Sequence, residues 1–466
     1  MERGTVRMLL VAALGLVLFS VTTAAVANVI TGPSSSQSPF LLRSQPGVVT
    51  KSILTTGDSV DGYRMVGIPD GLGAFDNGDG TFRVLMNHEL GATVGATRAH
   101  GATGAFVSKW TISKGDLEVV SGEDLVKTVN LATGTSALGR LCSADLAAAG
   151  AFYNTSTGKG FDGRLFLDGE EVGAEGRGFA HALDGTSWEL PRLGKFSWEN
   201  SVANPATGDK TVVVGLDDST PGQVYVYVGD KTTAGSAVDR AGLTNGSLYG
   251  IKVTGFPLEP AAGIPAGTPF ALASLGNRQA SSGALLQSDS VAAGVTEFNR
   301  PEDGAWDTRD SSVFYFVTTA SFSGSSRLWK LDFVDPADPS RGGTITALLD
   351  GTEGQKMMDN MTVSRRGQVL IQEDVGNNAH IGKVWLYDPD SDSLTDVAHH
   401  DEARFLPGAP GFLTQDEESS GTIPAPFLGE GWYLLDVQAH FPLPGELVEG
   451  GQLLALHVPP GKFGKS

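Results

Sequence analysis

Apolar and polar positions alternate in short runs along this chain, and most runs are bounded by Gly, Pro, Asn, Asp or Ser. Runs of roughly four to eight residues with this period predict β-strands. Thr81–Met86 is such a run and follows the turn residues Asn77-Gly78-Asp79-Gly80. Lys210–Gly215 and Gln223–Val228 flank Asp217-Asp218-Ser219-Thr220-Pro221-Gly222, which predicts a hairpin. The same order returns in Ser312–Val317, Ser326–Leu331 and Gly343–Leu348, and again in Gly367–Gln372, Gly382–Tyr387 and Ser393–Thr395. Gly431–Asp436 with Gly451–Leu456 forms the last pair.

Each repeat has an inner strand ending in acidic or polar residues, a strand bearing Trp or Tyr, and an outer strand. An irregular period of about 50 to 70 residues with this order predicts β-propeller blades. The expected fold is therefore all-β, a propeller of about six blades with short helical insertions. Two β-sandwich domains would match the strand density but not the recurrence of aromatic strands after polar strand ends. Helical signal is sparse. The Ala-rich stretch Cys142–Gly150, with Ser143 as its cap, predicts about two turns.

The ends of the chain read differently. Residues 1–27 have Arg3 and Arg7, an apolar Met8–Val21 stretch and the small residues Ala25-Val26-Ala27, the pattern of an export signal too short to span a membrane. Residues 28–47, rich in Ser, Pro and Gln, are expected to be a flexible lead-in, and 48–466 a single propeller domain. The protein is expected to be secreted or periplasmic, to have no stable membrane insertion after cleavage, and to act as a monomer.

Composition narrows the chemistry. Of 466 residues, 53 are acidic and 33 basic, a net charge of −20, which disfavours nucleic acid and anionic lipid as partners. Cys142 is the only cysteine, so no internal disulfide can form and stability falls to the core, to bound metal, or to both. There is no Gly-x-Ser-x-Gly elbow, His-Glu-x-x-His, Walker loop or dinucleotide fingerprint.

Propeller inner strands converge on one channel, so carboxylates at their ends can meet although distant in sequence. The candidates are Glu89, Glu170, Glu171, Glu199, Glu302, Asp359, Asp374 and Glu418, with Gln438 and His440 near the end. Clustered carboxylates repel one another unless a cation neutralises them, and hard oxygen donors favour calcium, magnesium or oxidised iron over zinc. Each also has a plainer reading. Asp217 and Asp218 are ordinary turn residues, Glu170-Glu171 fits a solvated face, Cys142 fits a small buried apolar group, and His181 and His440 fit a core.

Phe298-Asn299-Arg300-Pro301-Glu302-Asp303-Gly304-Ala305-Trp306-Asp307, with the strand that follows, resembles the Arg-Pro-Glu motif of the PhoX-type alkaline phosphatases and their phytase-like or esterase-like relatives. Met86-Asn87-His88-Glu89, Leu193–Glu199, Asp359-Asn360 with Arg366-Gly367, Asp416–Gly421 and Leu435–His440 are similar to further segments of that family, in order, over about residues 85 to 456. The resemblance implies a six-bladed propeller that holds calcium and iron and hydrolyses small phosphomonoesters. By it Cys142 would ligate iron, while Glu199, Glu302, Asp359 and either Glu170 or Glu171 would bind metal. Arg300 and Glu302 would be catalytic, with Arg300 holding the phosphate, and Asp374 would bind calcium. The chain departs from the family after Cys142, where an Ala-rich stretch replaces a Gly-Thr-rich run. Val172 stands where the family has Asn, and Trp198 where it has His. These departures leave open a non-catalytic, calcium-stabilised binding module and a calcium-dependent lactonase or esterase.

Overall fold

The computed structural model describes residues 1, 29–132, 134–461 and 463. Beyond Met1, the expected export signal lies outside the described residues. The strands form six four-stranded blades around a common axis, and each innermost strand packs against those of its two neighbours. In chain order the innermost strands are Pro69–Asp76, Asp145–Leu146, Trp198–Ala203, Pro301–Trp306, Met358–Val363 and Glu417–Pro424, which define blades I to VI. In blade VI the outer strand is Val49–Thr55, paired antiparallel with Glu449–His457, so the beginning of the chain closes the ring. Thr268–Gly276 joins the outer edges of blades III and IV.

The long apolar runs follow from this arrangement. A propeller blade is covered on both faces, so consecutive residues of its middle strands are all buried. Val213 packs in the layer between blades II and III, while Val212 and Val214 pack between III and IV. Tyr433 and Leu435 face blade V, and Leu434 faces blade I. One such apolar layer lies between every pair of adjacent blades.

Three expectations change. The described part of the 28–47 lead-in is built into the ring: Leu41–Arg43 pairs with Ala398–His400 and Val29–Thr31 with Thr50–Ser52. Phe40 and Leu41 are fully buried there, and their burial outweighs the local Ser/Pro composition. The predicted helix at Cys142–Gly150 is a single turn, Ala149–Phe152. Asp145–Leu146 pairs with Phe166–Leu167 instead, because the innermost position of blade II needs a strand. The longest helix among the described residues, Gly283–Ala293, escaped the sequence reading although Ser282 caps it and Gly294 ends it at φ 73°.

Candidate metal and anion site

The site starts with a repeated irregularity. The inner strands of blades I, III, IV and V shift register at their start, between Pro69 and Leu72, Trp198 and Ser201, Pro301 and Gly304, and Met358 and Met361, and that of blade VI shifts at mid-strand, between Ser420 and Ile423. A bulge sets two residues against one and re-aims their side chains. The residues inside are Asp70-Gly71, Glu199-Asn200, Glu302-Asp303, Asp359-Asn360 and Gly421-Thr422.

In blades III, IV and V the first bulge residue supplies a carboxylate to one cluster and the second ties blades together. Asn200 Nδ2 donates to Asp303 Oδ1 (2.6 Å), Met361 N to Asp303 Oδ2 (3.0 Å), and Gly421 N to Asn360 Oδ1 (2.9 Å). Ser420 Oγ donates to Asp70 Oδ1 (2.7 Å), Asn87 Nδ2 to the Cys142 carbonyl (2.7 Å), and Ala203 N to Asp145 Oδ2 (3.0 Å). Together these bonds link every blade to the next.

Three overlapping groups of potential metal ligands line this end of the channel: Asp70, Glu89 and Cys142; Cys142, Glu171 and Glu199; and Glu199, Glu302 and Asp359. Within each group the donor atoms lie within 4.8 Å of one another. The Cys142 thiol lies 3.0 Å from Glu199 Oε2 and 3.3 Å from Asp70 Oδ2. The Ser143 hydroxyl, read in sequence as a helix cap, donates to Glu199 Oε1 at 2.6 Å.

Burial makes this cluster electrostatically costly. Asp70 is raised to about 7 by burial and then by the charge of Glu418. Burial raises Glu89 to about 7, and burial followed by Glu89 raises Glu171 to about 8. Glu199, Glu302 and Asp359 are pushed well above the carboxylate range, first by burial and then by neighbouring acids. Burial and then Asp70 push the Cys142 thiol up as well. Asp436 is fully buried, feels the charges of Asp70 and Glu418, and has neither oxygen hydrogen-bonded among the described residues. Such a set of oxygen donors fits hard cations, which would relieve the repulsion. The single thiol is the one donor suited to a softer ion.

Two guanidiniums border the cluster. Arg300 donates from Nε and Nη2 to the two oxygens of Asp218 (2.8 and 3.0 Å), and Nη2 also lies 2.9 Å from Glu302 Oε1. Arg140 Nη2 bridges Glu89 Oε1 (2.5 Å) and Glu171.

The remaining expected residues fall at different distances from this centre. Gln438 Nε2 reaches Asp70 Oδ2 and Glu89 Oε2, both at 3.1 Å. Glu418 and Asp374 sit on bridged backbone beside it, outside the three groups, and burial raises both. His440 Nδ1 lies 2.6 Å from Glu449 Oε2. Burial lowers its pKa, but hydrogen bonds to Glu418 and Glu449 hold it up at about 11. Glu170 is committed elsewhere, to Arg177 Nε and Nη2 (2.6 and 2.7 Å) and Gly139 N, so Glu171 rather than Glu170 joins the cluster. His181 is a core histidine between Ser187 and Asp168.

Asp70, Asp218, Arg140 and Ser143 were not read as site residues. Asp70 precedes Gly71 and Asp218 lies in a hairpin turn, where Asp is commonplace, so only the folded ring distinguishes them.

No family model and no curated protein matches the chain. Among solved structures, PhoX from Pseudomonas fluorescens, in complex with the transition-state analogue vanadate, superposes at a TM-score of 0.60 and 12% identity. The match covers 91% of this chain and 97% of that one. The NanB sialidase of Streptococcus pneumoniae follows at 0.37 and 8%, covering 87% and 70%. A PQQ-bound aldose sugar dehydrogenase from Streptomyces coelicolor gives 0.35 and 10%, covering 89% and 99%. The chain thus shares its propeller fold with PhoX, the phosphatase type that its sequence motifs resemble.

Proposed function

We propose that this protein is a metal-dependent phosphoesterase that hydrolyses small phosphomonoesters at the acidic end of the channel. The observation that carries this reading is Arg300, whose guanidinium is held by Asp218 and Glu302 at the edge of three contiguous groups of buried ligand atoms. A fixed guanidinium beside neutralised carboxylates suits a phosphoryl group better than a neutral ester.

Calcium would be held by the carboxylates of Asp70, Glu89, Glu171, Glu199, Glu302 and Asp359, with Asp374 and Glu418 nearby. Iron would be held by Cys142. When bound, these cations supply the positive charge that offsets both the carboxylates and the substrate and polarise the phosphoryl oxygen. The chain's own residues bind and orient. Arg300 pairs with phosphoryl oxygens, and Asp218 fixes its plane. Ser143 holds the Glu199 carboxylate in place. Removal of the Arg300 guanidinium should weaken substrate binding, because it takes away the positive charge and the Nη1 donors that Asp218 and Glu302 leave unengaged.

The test is hydrolysis of an aryl phosphate at alkaline pH with calcium supplied, against a Glu302→Gln control. Turnover in the parent and not in the control supports the reading. No turnover above the control contradicts it, and turnover of esters or lactones alone would assign the site to those substrates. Export is part of the same proposal: a mature chain beginning at Asn28 is expected on N-terminal sequencing of secreted material. Among the described residues, no helix is long and apolar enough to cross a membrane.

A further inference from the structure

Arg140 repeats the construction of Arg300 on another blade. In Arg140-Leu141-Cys142 and in Arg300-Pro301-Glu302, the residue two positions after the arginine belongs to the buried ligand groups. Both arginines have left-handed backbones, with φ of 40° and 61°, as do Ile68 and Met357 two positions before Asp70 and Asp359, so this backbone belongs to the entry of the inner strands. A non-glycine residue adopts that region only where the surroundings impose it. Here backbone bonds impose it from both sides. Arg140 N donates to the Leu90 carbonyl and Glu171 N to the Arg140 carbonyl, both at 2.8 Å. Arg300 N donates to the Phe298 carbonyl (3.2 Å), and Thr319 N to the Arg300 carbonyl (3.0 Å).

The two guanidiniums are tied in the same manner. Arg140 uses Nε for the Glu171 carbonyl (3.1 Å) and Nη2 for the Glu89 and Glu171 carboxylates. Arg300 uses Nε and Nη2 for Asp218 and Nη2 for Glu302. Neither hydrogen-bonds through Nη1 among the described residues. Their side chains are 48% and 26% exposed, whereas the carboxylates they hold are nearly buried. A guanidinium that served only as a counter-ion would not need an exposed edge. Glu171 lies within reach of both constructions: it contacts Arg140 and feels the charge of Asp218, which clamps Arg300.

We infer that Arg140 is a second anion-contacting residue, which offers its free Nη1 edge to the phosphate from blade II while Arg300 does so from blade IV. This rests on the phosphoesterase reading for its substrate, and its experiment separates the two. The measurement is the Kd of inorganic phosphate for the calcium-loaded protein, by calorimetry, in the parent, Arg140→Gln and Arg140→Lys, with bound calcium quantified in each.

The expected result is at least a tenfold rise in Kd for Arg140→Gln and partial recovery in Arg140→Lys, with calcium content unchanged. A Kd within twofold of the parent in Arg140→Gln would overturn the inference, and tighter calcium binding in that variant would identify Arg140 as a counter-ion. A parent that binds phosphate yet hydrolyses no phosphomonoester would sink the phosphoesterase reading, while the Kd comparison still decides Arg140. A parent that binds no phosphate contradicts both.

Discussion

Two populations of buried acids share this propeller, and their surroundings differ. Away from the channel, Glu373 accepts from Lys356 N, Lys383 N, Trp385 Nε1 and His380 Nε2. Glu170 is gripped by Arg177, and Asp168 bonds His181 within the core of blade II. In the channel, Glu199, Glu302 and Asp359 face one another and Asp436 feels Asp70 and Glu418, with two guanidiniums at the border and raised pKa values throughout. Burial alone therefore does not mark a site. The sharper sign is a cluster of buried carboxylates that raise one another's pKa values.

The largest expected effect lies in the channel. Glu302→Gln should lower aryl-phosphate turnover by about a thousandfold or more, since it removes a ligand atom and the partner of Arg300. A loss below tenfold would place the chemistry elsewhere. Next comes the paired population: Glu170→Gln removes one of the buried charges that hold Arg177, beside Glu189, and should destabilise the protein by about 1 to 3 kcal/mol in denaturant unfolding. Calcium content should not change, because Glu170 belongs to none of the ligand groups.

The pH dependence separates the populations again. Asp70 and Glu89 are held at about 7 and Glu171 at about 8, above the values near 4 that they take in an unfolded chain. Between those limits the folded chelated protein binds more protons than the unfolded one, so its stability falls as pH rises from about 4 to 8. The slope is about 1.4 kcal/mol per pH unit for each such group. Thermal unfolding of chelated protein should show that fall, and excess calcium should flatten it. A melting temperature that rises over this range without calcium would contradict the acidities assigned here. The last effect is at the border, where Arg300→Ala should weaken inorganic phosphate binding by about 2 kcal/mol.

The blades were legible because their strands are buried on both faces, and the runs Val212-Val213-Val214 and Val313-Phe314-Tyr315-Phe316-Val317 have no other use. Cys142, Glu199, Glu302 and Asp359 were legible as acidic or reactive residues beside strand ends. The register shifts were not, since a bulge is set by pairing across a sheet and leaves no local pattern. That is why Asp70 and Asp218 passed as turn residues and why Glu170 could not be told from Glu171, although one residue separates a salt bridge from the cluster. The strand at Leu41–Arg43 was hidden for a related reason, since its partner is the distant outer edge of blade V, and Val29–Thr31 adds to blade VI through a parallel pairing with Thr50–Ser52.

The central claim is that the channel acids gather around shared cations, and counting those cations tests it directly. Elemental analysis after equilibrium dialysis against calcium should find at least two ions per chain, with iron present where Cys142 is engaged. Glu199→Gln, which alters a residue shared by two of the three ligand groups, should remove at least one of them. A chain that retains no metal, or whose metal content Glu199→Gln leaves unchanged, would contradict the account.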